Sequence, residues 1–157
     1  MAELQITLEV FGDKILSRKL SRFGEGVSDF RPAFIFIVED LRTATVNLFK
    51  TEGHGQWPPL SPKYAAWKKA NFSGQPIMRA SDMLYDSLIK KGRGGIEEID
   101  KLTMRWGTNV PYARFHQKGA GHLPVRRVVH LVEDEKKAIV KQVQRYVVSM
   151  RDKADLS

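Results

Sequence analysis

No cysteine occurs among the 157 residues, so disulfides, thiol nucleophiles and thiolate metal sites are all excluded. Histidine is scarce too. His54, His116, His122 and His130 are the only imidazoles, and no two stand at i, i+4 with a glutamate between, as a helical zinc site requires. Surface and loop positions therefore account for them better than ligation, and no cofactor is expected. No apolar run approaches the roughly 20 residues that cross a bilayer; the longest, Ala33 to Val38, is far too short. The first residues, Met1-Ala2-Glu3-Leu4, lack the basic and then apolar order of a secretory signal, which predicts a protein kept in the cytosol with no membrane partner. Internal repeats and low-complexity segments are also missing.

What is present is a basic chain, with a net charge of +8, and the charge is unevenly spread. Residues 1 to 62 carry seven Lys/Arg against eight Asp/Glu, whereas 101 to 131 carry six bases and no acid. Such a face attracts nucleic acid or an acidic protein surface. The length suits one domain with its own core, expected over 1 to 151, with residues 152 to 157 as a frayed tail.

The stretch from Phe49 to Tyr64 organises the rest. Gly53 and Gly55 can take the positive φ that closes a helix, while Pro58, Pro59 and Pro62 cannot continue one. Ser61 followed by Pro62 fits the start of a new helix. Between these marks sits Trp57, assigned first to the core of the elbow and second to an interface.

Along the chain, Leu4, Ile6, Leu8 and Val10 alternate with polar residues and predict a strand. Asp13 is placed to cap a helix closing near Gly24 and Gly26. From Asp29 to Thr51, Phe34, Ile37, Val38, Leu41, Thr45, Leu48 and Phe49 recur at steps of three and four, a long amphipathic helix with Pro32 in its first turn. Helices follow over Ser61 to Asn71, with Tyr64, Trp67 and Lys68 on one side, and over Ser81 to Lys91. Ile96 to Ile99 and Leu102 to Thr108 read as a hairpin across Asp100-Lys101. Val110 to Lys118 suits a short helix stopped by Gly119, Val125 to Leu131 an extended run, and Glu133 to Arg151 a final helix with three acids at its positive end. The expected architecture is α+β: a small antiparallel sheet with several helices on it, the central and C-terminal ones long.

Catalysis finds little support. Gly92 to Gly95 lacks the Gly-Lys-Ser/Thr ending of a phosphate loop, and Ser61, Ser81 and Ser87 have no Gly-x-Ser-x-Gly context. Glu97 and Glu98 would point to opposite faces of a strand, and Asp82 and Asp86 lie on a helix beside lysines. A hydrolase would need a concave site gathering His116, His122 and nearby carboxylates. Nucleic-acid binding is the stronger alternative: Arg105, Arg114, Lys118, Arg126 and Arg127 interleave with Trp106, Tyr112 and Phe115, the mixture of cations and rings that neutralises phosphates and stacks bases. On that alternative the chain is a stand-alone module using residues 101 to 131.

Two blocks point elsewhere. Phe49, Glu52-Gly53, Trp57, Pro59-Leu60-Ser61, Tyr64 and Lys68 are followed by Ile77-Met78, Ser81, Leu84 and Ser87. Then come Gly107-Thr108, Pro111-Tyr112-Ala113, His116-Gln117, Gly119 and Leu123-Pro124-Val125-Arg126. In order and spacing this chain resembles the phage virion morphogenesis family, the tail-completion proteins of tailed bacteriophages and prophages. It departs from that pattern at Ala80-Ser81-Asp82, where the family usually has Thr-Gly, so that Ser81 is expected to cap the helix entry here, and after Arg126, where Arg127 to Leu131 replace an aromatic and a Leu-Gly pair. The resemblance implies a non-catalytic structural protein that acts in tail completion and head-tail joining. It also implies a location in the tail or neck of the virion, reached from the host cytoplasm. Its partners would be other virion proteins, copies of itself in a ring, and DNA at the neck. Trp57, Pro59, Leu60, Tyr64, Gly107, Tyr112, His116 and Gly119 then read as structural motif residues. Arg105, Arg114, Lys118, Arg126 and Arg127, with Trp57, read as the partner-binding set.

Overall fold

The computed structural model describes residues 14–72 and 74–156; the strand expected over Leu4 to Val10 and the cap expected at Asp13 lie outside them. The elements run α1 (Lys14–Val27), α2 (Arg31–Lys50), α3 (Pro62–Phe72), α4 (Met83–Ile89), β1 (Gly95–Ile99), β2 (Met104–Thr108), α5 (Ala113–Lys118) and α6 (Glu133–Lys153). The α+β reading holds; among the described residues the sheet is one antiparallel hairpin, in which Ile96 faces Gly107 and Glu98 faces Arg105.

Helix α2 is the spine. Its periodic apolar residues turn inward, so that Ala33, Ile37, Val38, Leu41, Ala44, Leu48 and Phe49 are all buried. One side of α2 meets α4 and β1, and α4 in turn lies on both strands; another side meets α6, which also carries α1. The core gathers where α2 ends: Leu48, Phe49, Trp57, Leu84, Leu88, Val110, Ala113 and Val128 pack together, with Met78, Tyr85 and Trp106 against them. Phe49 meets the Trp57 ring edge-on at 5.3 Å and the Tyr85 ring at 5.2 Å, the geometry in which aromatic quadrupoles attract.

Helix α1 closes at Val27, one residue past Gly26 and near the expected end. At Gly26 a Cβ would stand 2.8 Å from the Met150 sulfur of α6, so the glycine also permits a close helix crossing. Two local expectations change. Helix α4 is not capped by Ser81. Asp82 occupies the N-cap with a φ of 57°, and its carboxylate is turned to Arg79 at 2.8 and 2.7 Å. The segment 125 to 131 forms no strand.

The tail expected to fray from residue 152 instead continues α6 to Lys153 and then turns back. Ala154 is buried, and Asp155 pairs with Lys19 of α1 at 2.8 Å. Farther up α6, the Tyr146 hydroxyl donates to the carbonyls of Asp29 at 2.5 Å and Gly26 at 3.3 Å, tying this helix to the junction of α1 and α2.

Candidate partner-binding cleft

The elbow is built from backbone geometry. Four consecutive residues, Glu52 to Gly55, have φ between 50° and 75°, which turns the chain sharply off the end of α2. Gly53 lies directly under the indole, where a Cβ would come within 2.2 Å of Trp57 Cδ1. Trp57 is 8% exposed, and its Nε1 donates to the Arg127 carbonyl at 3.2 Å. The side chain that sequence spacing left between core and interface thus sits in the core.

Prolines 58 and 59 contribute no N–H, and their carbonyls face Arg126. The guanidinium Nε and Nη2 both donate to the Pro58 carbonyl, at 2.9 and 2.7 Å, and Nη2 also reaches the Pro59 carbonyl at 3.0 Å. A planar fork of donors matches two successive carbonyls in a way a lysine could not. Arg126 is only 5% exposed, so it does not belong to the exposed basic face expected of it. The correction has a plain cause: a stiff proline pair with unpaired carbonyls needs a strong donor, and Arg126 supplies it.

Beside this staple opens a cleft of about 800 Å³. Tyr64 and Lys68 of α3 form one wall, Met78 to Leu84 a second, and Tyr112, His116 and residues 122 to 124 a third, with Arg126 and Pro59-Leu60 at its edge. Lys68 is 5% exposed, and its Nζ donates to the Pro76 carbonyl. Burial pulls the Lys68 amine below its ordinary pKa; the charge of Glu52 opposes the shift and that of Arg126 adds to it. Burial lowers Arg126 as well, opposed by Tyr64. His116 is lowered by burial first and by Arg126 second, and its Nδ1 is buried without a hydrogen-bond partner among the described residues.

The acids nearby are engaged elsewhere. Asp82 is held by Arg79, whose hydrogen bond lowers its pKa, and Glu52 Oε1 accepts the Ile77 amide at 2.9 Å. His116, His122 and Asp82 do line one concave site, the arrangement a hydrolase would need. Yet among the described residues there is no group of three side chains fit to hold a metal, and the oxygens of Asp82 are already taken.

The structure divides the expected partner-binding set. Arg114 and Lys118 lie one turn apart on the outside of α5, with Arg114 over the Phe115 ring at 4.6 Å, and Arg127 is exposed. Arg105 is exposed on β2 but pairs across the hairpin with Glu98 at 2.8 Å. Of the motif residues, Pro59, Leu60, Tyr64, Tyr112 and His116 converge on the cleft. Gly107 is buried in β2, and Gly119 ends α5 with a φ of 74°. Sequence reasoning named Lys68 in the first motif block but did not place it in the partner-binding set, and it did not foresee the Arg79–Asp82 pair. The available signal was Lys68 at i+4 from Tyr64, a lysine on the face of a helix that turns inward.

A scan against protein families matches residues 12–149 to one described as the phage virion morphogenesis family. The chain belongs to the phage virion morphogenesis family. Membership carries a structural or assembly role in the phage particle, in association with other virion proteins. Comparison with curated proteins and with solved structures found no match. No helix among the described residues is long and apolar enough to cross a membrane.

Proposed function

We propose that this protein acts without catalysis in tail completion and head-tail joining, holding virion proteins together through surface contacts at the tail end or neck. The observation that carries this reading is the state of α1 and α6. These two helices contain no buried residue, although both are amphipathic. Single exposed apolar side chains are ordinary, but here Leu16, Leu20, Val140 and Val148 are all exposed on the two helices, beside Ile35 and Phe36 on α2. Apolar surface of that kind is stabilised when another protein covers it. A ring of identical copies is one closed arrangement that would do so. Arg114, Lys118 and Arg127 add a positive surface that favours acidic neighbours and speeds encounter with them.

Electron microscopy of particles assembled without the protein tests the reading. Separate heads and tails are expected. Intact, infectious virions would overturn it.

A further inference from the structure

We propose that the cleft between α3, α4 and α5 is a docking site for an acidic segment of another virion protein, a carboxylate side chain flanked by apolar residues; this rests on the assembly role above. Lys68 and Arg126, each 5% exposed, line the same cleft, and neither has an ion pair among the described residues. Two buried like charges satisfied only by carbonyl oxygens are costly. A carboxylate entering the cleft would offset that cost with charge-assisted hydrogen bonds. Donors remain for it. Lys68 Nζ spends one of its three hydrogens on Pro76, and Arg126 Nη1 makes no hydrogen bond among the described residues. His116, on another wall, has a buried Nδ1 with no partner among the described residues.

The remaining walls define the flanks of the guest. Tyr64, Met78, Tyr112 and Leu123 are apolar or aromatic, suited to side chains on either side of the carboxylate. A volume of about 800 Å³ lies in the range of sites, about 300–1,000 Å³, that take in a ligand of a few residues. Duplex DNA fits poorly. Its phosphates stand on a convex surface too wide to enter, and phosphate contacts are made by cations that reach out rather than by two that are nearly covered. The built-in acids fill the role only in part: Asp82 is bound to Arg79 and Glu52 Oε1 to the Ile77 amide, and both act on Lys68 through space without an ion pair to it.

The test is an NMR titration of the full chain with four probes: acetyl-Leu-Glu-Leu amide, its Gln counterpart, inorganic phosphate and a short DNA duplex. Expected are shifts at Lys68, His116 and Arg126 with the Glu peptide, at an affinity about tenfold above that of the Gln peptide, the factor a charge-assisted hydrogen bond is worth. Lys68→Met should erase this preference while leaving the melting temperature unchanged or raised, since it removes a buried charge and keeps the stem; a purely structural lysine would lower it. Equal affinity of the two peptides, or shifts confined to other surfaces, overturns the proposal with no variant needed. A response at the cleft to phosphate but to neither peptide, or to the duplex alone, overturns it in favour of a small-anion or nucleic-acid site. If the peptides fail here while particles lacking the protein still leave heads and tails apart, the cleft assignment falls and the assembly role stands; joined particles would remove the role itself.

Discussion

Arg126 shows how one residue can mislead a reading by composition. Counted among the bases between 101 and 131 it looks like surface charge, but in the fold it holds the Pro58 and Pro59 carbonyls and lies against His116. Its partners are 67 and 68 positions away in sequence, so no local pattern announces them. The burial of Lys68 was illegible for a related reason: its position on a helix and in the motif block can be read, but burial of a lysine is decided by the walls that close over it. The same neighbourhood makes a pH prediction. The folded pKa of His116 lies below the ordinary 6.5, so the native state resists a proton that the unfolded chain accepts. Its contribution to stability is thus present above 6.5 and is lost as pH falls through the lower folded value. Urea midpoints should drop between about pH 7.5 and about pH 5, and His116→Gln should flatten that drop. An equal drop in the variant would assign the effect to other groups.

Among the elements, helices and hairpin were legible because their apolar residues repeat with the right period, and α2, α3, the strands and α6 fall close to the expected bounds. Glycine was harder to read. Gly24 and Gly26 marked the helix end, which falls at Val27, but the close approach of Met150 to Gly26 is a tertiary fact that α1 alone does not contain. The elbow glycines were read correctly as a turn, and they differ in a measurable way. Gly53 has both a positive φ and the Trp57 indole against it, whereas Gly55 has a positive φ and open space. Gly53→Ala should cost about 3 kcal/mol, combining backbone strain with overpacking, and Gly55→Ala only about 1 kcal/mol. Chemical denaturation of the two variants checks this, and equal losses would mean that the indole yields to the methyl group.

At the scale of the whole molecule, stability and association occupy different regions. The aromatic core lies between the end of α2, α4 and the segment around Val128, while α1 and α6 leave Leu20 and Val140 more than half exposed. Changing exposed residues costs a fold little, within about 0.5 kcal/mol. Leu20→Glu with Val140→Glu should therefore leave the melting temperature nearly unchanged yet lower the mass seen by light scattering, if copies of the chain join through these helices. An unchanged mass in an associating protein would move the joint to another surface. The staple has a further consequence, in time. Trp57 and Pro58 are fastened by residues 70 and 68 positions downstream, so a chain still growing on the ribosome holds both proline carbonyls unclaimed until position 126 emerges. Closure of such distant contacts is slow relative to helix formation. The cleft beside the elbow is therefore complete only once position 126 has emerged, so a chain shorter than that cannot offer it to a neighbour.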